Sequence, residues 1–401
     1  MKIGIIKEGK TPPDKRVALS PQQCRNILDN YPTVELYVEE SAIRKFSDDD
    51  YRVLNIPVVK DVSHCDVLMG VKEVPLEQLI PNKKYFFFSH TLKKQPYNRK
   101  LLKAVLEKNI QLIDWETITD ERGQRLIAFG RYAGIVGAYN GFLAWGKKMG
   151  TFDLKPANLC EDRKEMESEL AKVKLPSNFK MVITGSGRVG GGAIETIRHV
   201  AIKEVEPAAF LTQEFNEPVY TVLGVEHYNK AADNSEFDKK LFYKDPSNFV
   251  SNFMQYAIQS DMYMACHYWD NKAPFIFTRK DVKHPEWKIK VVADISCDVD
   301  CAVACTIQAS TIADPIYGYD PFSESVTDYT KDGVIAVMAV DNLPCELPKD
   351  ASVDFGEMFI NNVLEPLLGN DPKAIIDRAS ETKDGKLTPH FAYLQDYVDG
   401  K

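Results

Sequence analysis

Two apolar runs near the start of the chain each end in a side chain able to carry a proton. "LMGVKEVP" brings Lys72 to the end of one, and "YFFFSHTLKKQ" brings His90 to the end of the next. An ammonium and an imidazole at one sheet edge suit carbonyl or imine chemistry. One group takes a proton from an amine or hydroxyl while the other donates to departing water. A surface lysine and a histidine satisfied by backbone groups fit the same spacing. Nearer the start, "DKRVALSP" offers Arg16, whose planar fork can grip a carboxylate at two points. A solvated arginine fits that stretch equally well.

A third stretch concerns a cofactor. "FKMVITGSGRVGGGAIETIRH" sets Gly185, Gly187 and Gly190 in the G-x-G-x-x-G pattern, between a strand-like run and a helix-like one. The first glycine allows the tight turn, the second lets a pyrophosphate reach the backbone, and the third lets the helix pack closely on the strand. An acid ending the next strand would hold the ribose hydroxyls. Glu226 in "VLGVE" is the residue placed for it, with "EVEPAAFLTQEFNEP" taken as an insertion. A carboxylate there repels a 2′-phosphate, so NAD is the expected cofactor and NADP the alternative; a surface glutamate is the plain reading. Cys297, Cys301 and Cys305 lack the short knuckle of a zinc or iron–sulfur site, so no metal is expected. Asp294 and Asp298 lie at a strand end in the same half and are assigned to the cofactor side.

Parallel strands covered on both faces would position these groups. Strand candidates fall at 2–8, 34–40, 66–73, 84–90 and 111–116, then at 180–186, 219–226, 261–267, 288–296 and 334–342. Helix-like stretches separate several of them, among them 20–30 and 96–108. The pattern predicts an α/β protein with two Rossmann-like, doubly wound parallel-sheet domains and an active site in the cleft between them. The run 130–150 and the run 351–369 have helical character and suit passage between domains. The expected division is a discontinuous substrate and catalytic domain, 1–140 with 345–401, and a dinucleotide-binding domain, 141–344. The charged stretch 160–174 is expected to be a solvated helix.

Composition excludes other classes. The 401 residues, 44% hydrophobic, suffice for two cores. The net charge is −8 and there is no basic tract, so no nucleic-acid partner is expected. The longest apolar run, 334–340, is too short to span a bilayer, and no membrane association is expected. The first strand candidate begins at Lys2, leaving no room for a leader, and the eight cysteines are expected to be reduced thiols in the cytoplasm.

The stretches "KRVALSP", "GVKEVP", "FFFSHTLKKQ", "LIDWE", "GQRLIAFGRYAG", "GSGRVGGGA", "ADISCD" and "VDNLPCELPKDAS" follow one another over most of the chain. In that order they resemble the alanine dehydrogenase / transhydrogenase N-terminal superfamily. Within it they are most similar to the lysine-forming saccharopine dehydrogenases and to the lysine–ketoglutarate reductase half of the animal bifunctional enzyme. The resemblance implies that Lys72 is the general base and His90 the general acid. It implies that Arg16, Gln95, Arg125 and Phe129 hold substrate. Gly187, Arg188, Glu226, Tyr268, Val340, Asp341, Asn342 and Leu343 match cofactor contacts. Asp298 matches a carboxylate used near the reacting centre of alanine dehydrogenases.

The implied activity is an NAD(P)-dependent oxidation or reduction at a CH–NH bond. It is written as the reversible condensation of L-lysine with 2-oxoglutarate to saccharopine, with small amino and 2-oxo acids as the substrates. Two alternatives stay open: an alanine-type dehydrogenase using ammonia, and a non-enzymatic nicotinamide-binding subunit like that of transhydrogenase. A second dicarboxylate substrate would call for further cations such as Arg125 or Arg131. The chain departs from the pattern at Val189, where fungal relatives carry a cysteine able to pair with the Cys266 position, so that disulfide is not expected. Asp300 and Cys301 replace a glycine pair, and "GVEHY" lacks the basic context of the NADP-using branch. The chain is expected to hold the reductase without the second enzyme of the bifunctional protein.

Overall fold

Six short strands make the first sheet: β1 (Lys2–Ile5), β2 (Glu35–Glu39), β3 (Val58–Val59), β4 (Val67–Met69), β5 (Lys84–Phe87) and β6 (Gln111–Asp114). They lie in the order β3-β2-β1-β4-β5-β6, every pair parallel. These strands read as continuous apolar runs because both faces are covered. Ile3, Ile5, Val67, Met69, Phe86 and Ile113 enter one core, while Leu68, Tyr85, Phe87 and Leu112 enter another. The order reverses between β1 and β4, and the loops leaving those strands diverge to open a crevice at their carboxyl ends. Helices α1 (Pro21–Asn30), α2 (Asp48–Arg52) and α3 (Arg99–Glu107) connect the strands. A capping box between Ser20 and Gln23 starts α1.

This computed structural model describes all residues, 1–401, and divides them into two compact units. The first holds Met1–Phe129 and Pro348–Lys401; the second holds Gly130–Leu347. The returning segment completes the first unit. Its helix Pro348–Phe359 sends Phe355 and Phe359 into the core beside Phe86 and Trp115. Further on, the Glu381 N–H donates to the Leu112 carbonyl of β6 at 2.8 Å.

In the second unit β7 (Lys180–Thr184), β8 (Lys203–Glu204) and β9 (Val219–Leu223) precede a small antiparallel pair, β10 (Asn229–Ala231) and β11 (Phe249–Ser251). Then come β12 (Met262–Ala265), β13 (Val291–Asp294), β14 (Ile316–Asp320), β15 (Ser325–Thr327) and β16 (Ile335–Met338). The main sheet has the order β15-β14-β16-β13-β12-β7-β9-β8. It is parallel from β8 to β16. β14 runs antiparallel to β16 and to β15. The expected α/β class with parallel sheets therefore holds. The antiparallel edge was not foreseen, because a hairpin needs no helical crossover to mark it in the sequence.

Small residues let helices pack close in this unit. Helix α4 (Gly130–Met149) crosses α6 (Arg188–Ile197), with the charged α5 (Arg163–Glu169) between them in sequence. A Cβ on Gly134 would collide with the Val189 carbonyl, and one on Gly192 with the Arg131 carbonyl. On its sheet side α4 is as tight: a Cβ on Gly137 would stand 2.6 Å from Ile295, and one on Gly141 2.7 Å from Met262. Arg163 ties α5 to α6 through Glu195 at 3.0 Å, so the charged stretch is anchored as well as solvated. No helix is long and apolar enough to cross a membrane.

Substituting Gly192 by Ala sets a methyl against backbone that cannot yield cheaply. A loss of about 2–3 kcal/mol is expected in urea unfolding. At Gly191 a Cβ meets nothing within 4 Å. There, Gly191→Ala is expected to be neutral or to add up to about 1 kcal/mol through helix propensity. Equal behaviour of the two variants would refute the packing account.

Candidate active site

Glu8 leaves β1 and is buried. Its Oε1 accepts the Val71 N–H at 2.6 Å and its Oε2 accepts the Lys72 N–H at 2.8 Å. One carboxyl group thus pins the loop after β4 to the loop after β1, across the point where the strand order reverses. Burial pushes Glu8 up to about 7, against the pull of those two N–H bonds. The next residue, Glu73, has its Oε1 2.7 Å from His90 Nδ1, while its Oε2 accepts from Lys10 Nζ at 2.7 Å. Burial alone would raise Glu73, but the bonds from His90 and Lys10 outweigh it and bring it down to about 2. The structure thus joins His90 to Glu73, the residue that follows Lys72 in the loop after β4. An ionised Glu73 draws the proton of the imidazole to Nδ1 and leaves Nε2 for chemistry. His90 itself has left-handed backbone, φ 53°.

Arg16 is deeply buried and engaged. Its Nε and Nη2 donate to Asp14 at 3.0 and 2.7 Å, and its guanidinium lies 4.1 Å from the centre of the Phe129 ring. Phe129 in turn stacks on Phe355, centroids 4.4 Å apart. Burial opposes ionisation of Asp14, and Arg16 overcomes it, holding the carboxyl at about 2. A substrate carboxylate reaching Arg16 has to compete with Asp14. Arg125 is half exposed and sits 3.1 Å from Glu116. Gln95 is exposed beyond the turn Thr91–Lys93, and its carbonyl accepts from the Tyr397 hydroxyl.

The second group of residues lies at the carboxyl end of the other parallel sheet. Gly185 follows β7 at φ 91°, and its N–H donates to the Leu223 carbonyl at 3.0 Å. A Cβ there would stand 2.7 Å from the Cys266 carbonyl oxygen, so only glycine fits both the angle and the space. A Cβ on Gly190 would strike the Gly185 carbonyl, whereas one on Gly187 would meet nothing within 4 Å. Open space over the second glycine, at the start of α6 and with no side-chain cap, fits the approach of a diphosphate to free N–H groups. Arg188 is exposed on the first turn.

Glu226 follows β9, the neighbour of β7, with Lys239 Nζ 3.7 Å away. The assumed insertion before it holds β8 and the helix Pro207–Thr212. Tyr268 is 90% exposed just past β12. Asp298 is exposed after β13, in a loop held by buried Asp294, which accepts from Ser296, Cys297 and Thr306. Beyond β16, Val340 and Leu343 are buried, Asn342 is half-buried and Asp341 is exposed. All eight cysteines are free thiols.

Sequence reasoning missed three groups. Glu8 and Glu73 each follow a lysine at a strand end and read as surface charge, although Glu73's place beside Lys72 was a usable signal. His267 is buried with Nδ1 2.8 Å from Thr184 Oγ1 and no partner at Nε2, and burial lowers it to about 4.

Comparison with known proteins agrees with the resemblance drawn from the motifs. Residues 4–136 match the family model described as Alanine dehydrogenase/PNT, N-terminal domain. The chain is 28% identical to the alpha-aminoadipic semialdehyde synthase of Arabidopsis thaliana, over 98% of its own length and 41% of that protein. It thus spans less than half of that relative. It is 25% identical to the saccharopine dehydrogenase [NAD(+), L-lysine-forming] of Emericella nidulans, covering 91% of this chain and 92% of that one. An L-alanine dehydrogenase structure superposes with a TM-score of 0.64 at 16% identity, covering 100% of this chain and 99% of the other, a likeness of fold. These names are in keeping with an NAD(P)-dependent dehydrogenase acting on CH–NH bonds.

The Glu73 contacts carry a pH signature. Its folded value of about 2 lies below the ordinary 4.5, so the stability it contributes is complete above about pH 4.5 and is lost as pH falls through 2. In Glu73→Gln the loss of thermal stability between pH 7 and pH 3 is expected to be smaller than in the unmodified protein, by up to about 2 kcal/mol. An unchanged difference would mean that His90 and Lys10 do not hold Glu73 ionised.

Proposed function

We propose that the protein is a lysine-forming saccharopine dehydrogenase: L-lysine, 2-oxoglutarate, NADH and a proton give saccharopine, NAD+ and water, reversibly. The observation that carries this reading is the Glu73–His90 contact beside Lys72, in the loops that leave β4 and β5 of an all-parallel sheet. Lys72 takes the proton from the substrate ammonium, freeing the amine to attack the keto carbon. His90, carrying a second proton on Nε2 while Glu73 holds the one on Nδ1, gives that Nε2 proton to the carbinolamine hydroxyl so that water leaves and the imine forms. Arg16 and Arg125 bind substrate carboxylates, with Phe129 backing Arg16 and Gln95 at the rim.

The dinucleotide is held by Gly185, Gly187, Arg188, Gly190, Glu226, Tyr268, Asp298 and the run Val340 to Leu343. When bound, it supplies the hydride that reduces the imine carbon. Glu226 near the ribose favours NADH over NADPH by charge.

One observation favours a second reading, an amino-acid dehydrogenase that takes ammonia. Arg131 is bidentate to Glu195 at 2.8 and 2.7 Å, and Arg16 is bidentate to Asp14, which leaves fewer cations to serve two carboxylated substrates. NADH oxidation with 2-oxoglutarate separates the two when L-lysine is compared with ammonia, and pyruvate plus ammonia runs in parallel. Lysine-dependent oxidation is expected; oxidation only with pyruvate and ammonia would replace this proposal by the second. Lys72→Met is expected to lower turnover by at least about 100-fold while NADH still binds with unchanged affinity. Intact turnover in that variant would remove Lys72 from the mechanism.

A further inference from the structure

Two carboxyl groups lie fully buried behind the strand end that carries His90. Asp114, the last residue of β6, accepts the Ser89 N–H at 2.7 Å and the Glu116 N–H at 2.6 Å. Glu381 arrives from the returning segment. Its Oε2 accepts from Thr91 Oγ1 at 2.6 Å and its Oε1 from Ser89 Oγ at 3.3 Å. Both acids are 0% exposed, and neither forms an ion pair. Two like charges at that depth do not ionise together. Burial, then the charge of Asp114, push Glu381 well above the usual carboxylate range. Burial raises Asp114 as well, against the pull of its Ser89 and Glu116 donors.

The residues tied to this pair are the two that flank His90. Ser89 is held by its N–H and its hydroxyl, and Thr91 by its hydroxyl. The two hydroxyl oxygens lie 2.6 Å apart, and the Thr91 N–H donates back to Ser89 Oγ at 3.1 Å. Between them His90 sits at φ 53°, ψ 16°, a backbone state that side-chain-bearing residues avoid unless their surroundings impose it. The left-handed turn directs the imidazole onto Glu73.

We propose that Glu381 is a positioning residue: it clamps Ser89 and Thr91, so that His90 stays left-handed and keeps Nδ1 on Glu73. This rests on the acid role given to His90 above. Glu381 touches no reacting atom; it acts through the backbone on either side of one that does.

Glu381→Ala, Glu381→Gln, His90→Gln and the double variant His90→Gln/Glu381→Ala are compared in lysine-dependent NADH oxidation, alongside NADH binding by fluorescence. Glu381→Ala is expected to lower kcat by about 10- to 100-fold with NADH affinity unchanged. Glu381→Gln, which keeps an acceptor and a donor in place, is expected to recover most of that loss. The double variant is expected to be no slower than His90→Gln alone. Unmodified kcat in Glu381→Ala, equal losses in the Ala and Gln variants, or multiplicative losses in the double variant would each overturn the clamp.

Should Glu381→Ala not fold, Thr91→Val removes the 2.6 Å bond from the other side and carries the same expectations. If the unmodified protein shows no lysine-dependent oxidation, or His90→Gln matches it, the functional reading fails. A crystal structure of Glu381→Ala, or of Thr91→Val where the first does not fold, then decides the clamp alone. His90 leaving the left-handed region and parting from Glu73 supports it; an unmoved His90 overturns it.

Discussion

The crevice of the first unit depends on Glu8. Where a doubly wound sheet reverses its strand order, the loops leaving the two central strands part, and their backbone N–H groups lose sheet partners. Glu8 meets that need with one carboxyl group, taking both N–H groups of Val71 and Lys72. The loop that follows β4 is thereby fixed in direction, and with it Lys72 and Glu73. Everything downstream inherits this placement: Glu73 fixes the His90 ring, and Lys10 keeps Glu73 charged. Arg16 and Asp14 are buried as an ion pair in the same unit.

The second unit solves a different problem with small side chains. A loop that must leave space for a diphosphate cannot also be braced by side chains, so the bracing comes from backbone contact. Gly134 and Gly192 let α4 and α6 touch at their carbonyls, and Gly190 seats the helix on the turn of Gly185. The open position at Gly187 lies between two, Gly185 and Gly190, that have no room for a side chain. Rigidity around a vacant spot is what preorganises such a loop.

Much of this was legible in the sequence, for identifiable reasons. Strands covered on both faces appear as unbroken apolar runs, so the parallel sheets and the residues ending their strands could be read directly. The glycine loop announced itself because three glycines serve three separate steric demands. What stayed hidden were partnerships across the sheet. "IKE" and "VKE" look alike, and nothing in either says that Glu8 turns inward while Glu73 bridges His90 and Lys10. Glu381 lies in "SETKDG", a polar string that reads as a loop, and its partners Ser89, Thr91 and Asp114 are known only once the returning segment is seen against β6. Arg16 was recognised as a candidate clamp, but its engagement by a neighbour two residues earlier in "PDKR" was not.

The split of the first unit also has a bearing on how the molecule is made. Residues leave the ribosome in order, and domains tend to fold as they emerge. The first 129 residues appear early, yet Phe355, Phe359 and Glu381 belong to the same unit and appear last. Throughout synthesis of the whole second unit, the faces around Phe86 and Trp115 wait without their cover. Gly130–Leu347, by contrast, has all its strands in hand before the final segment is translated. Of the two units, the one whose residues come first in this sequence is thus the one completed later.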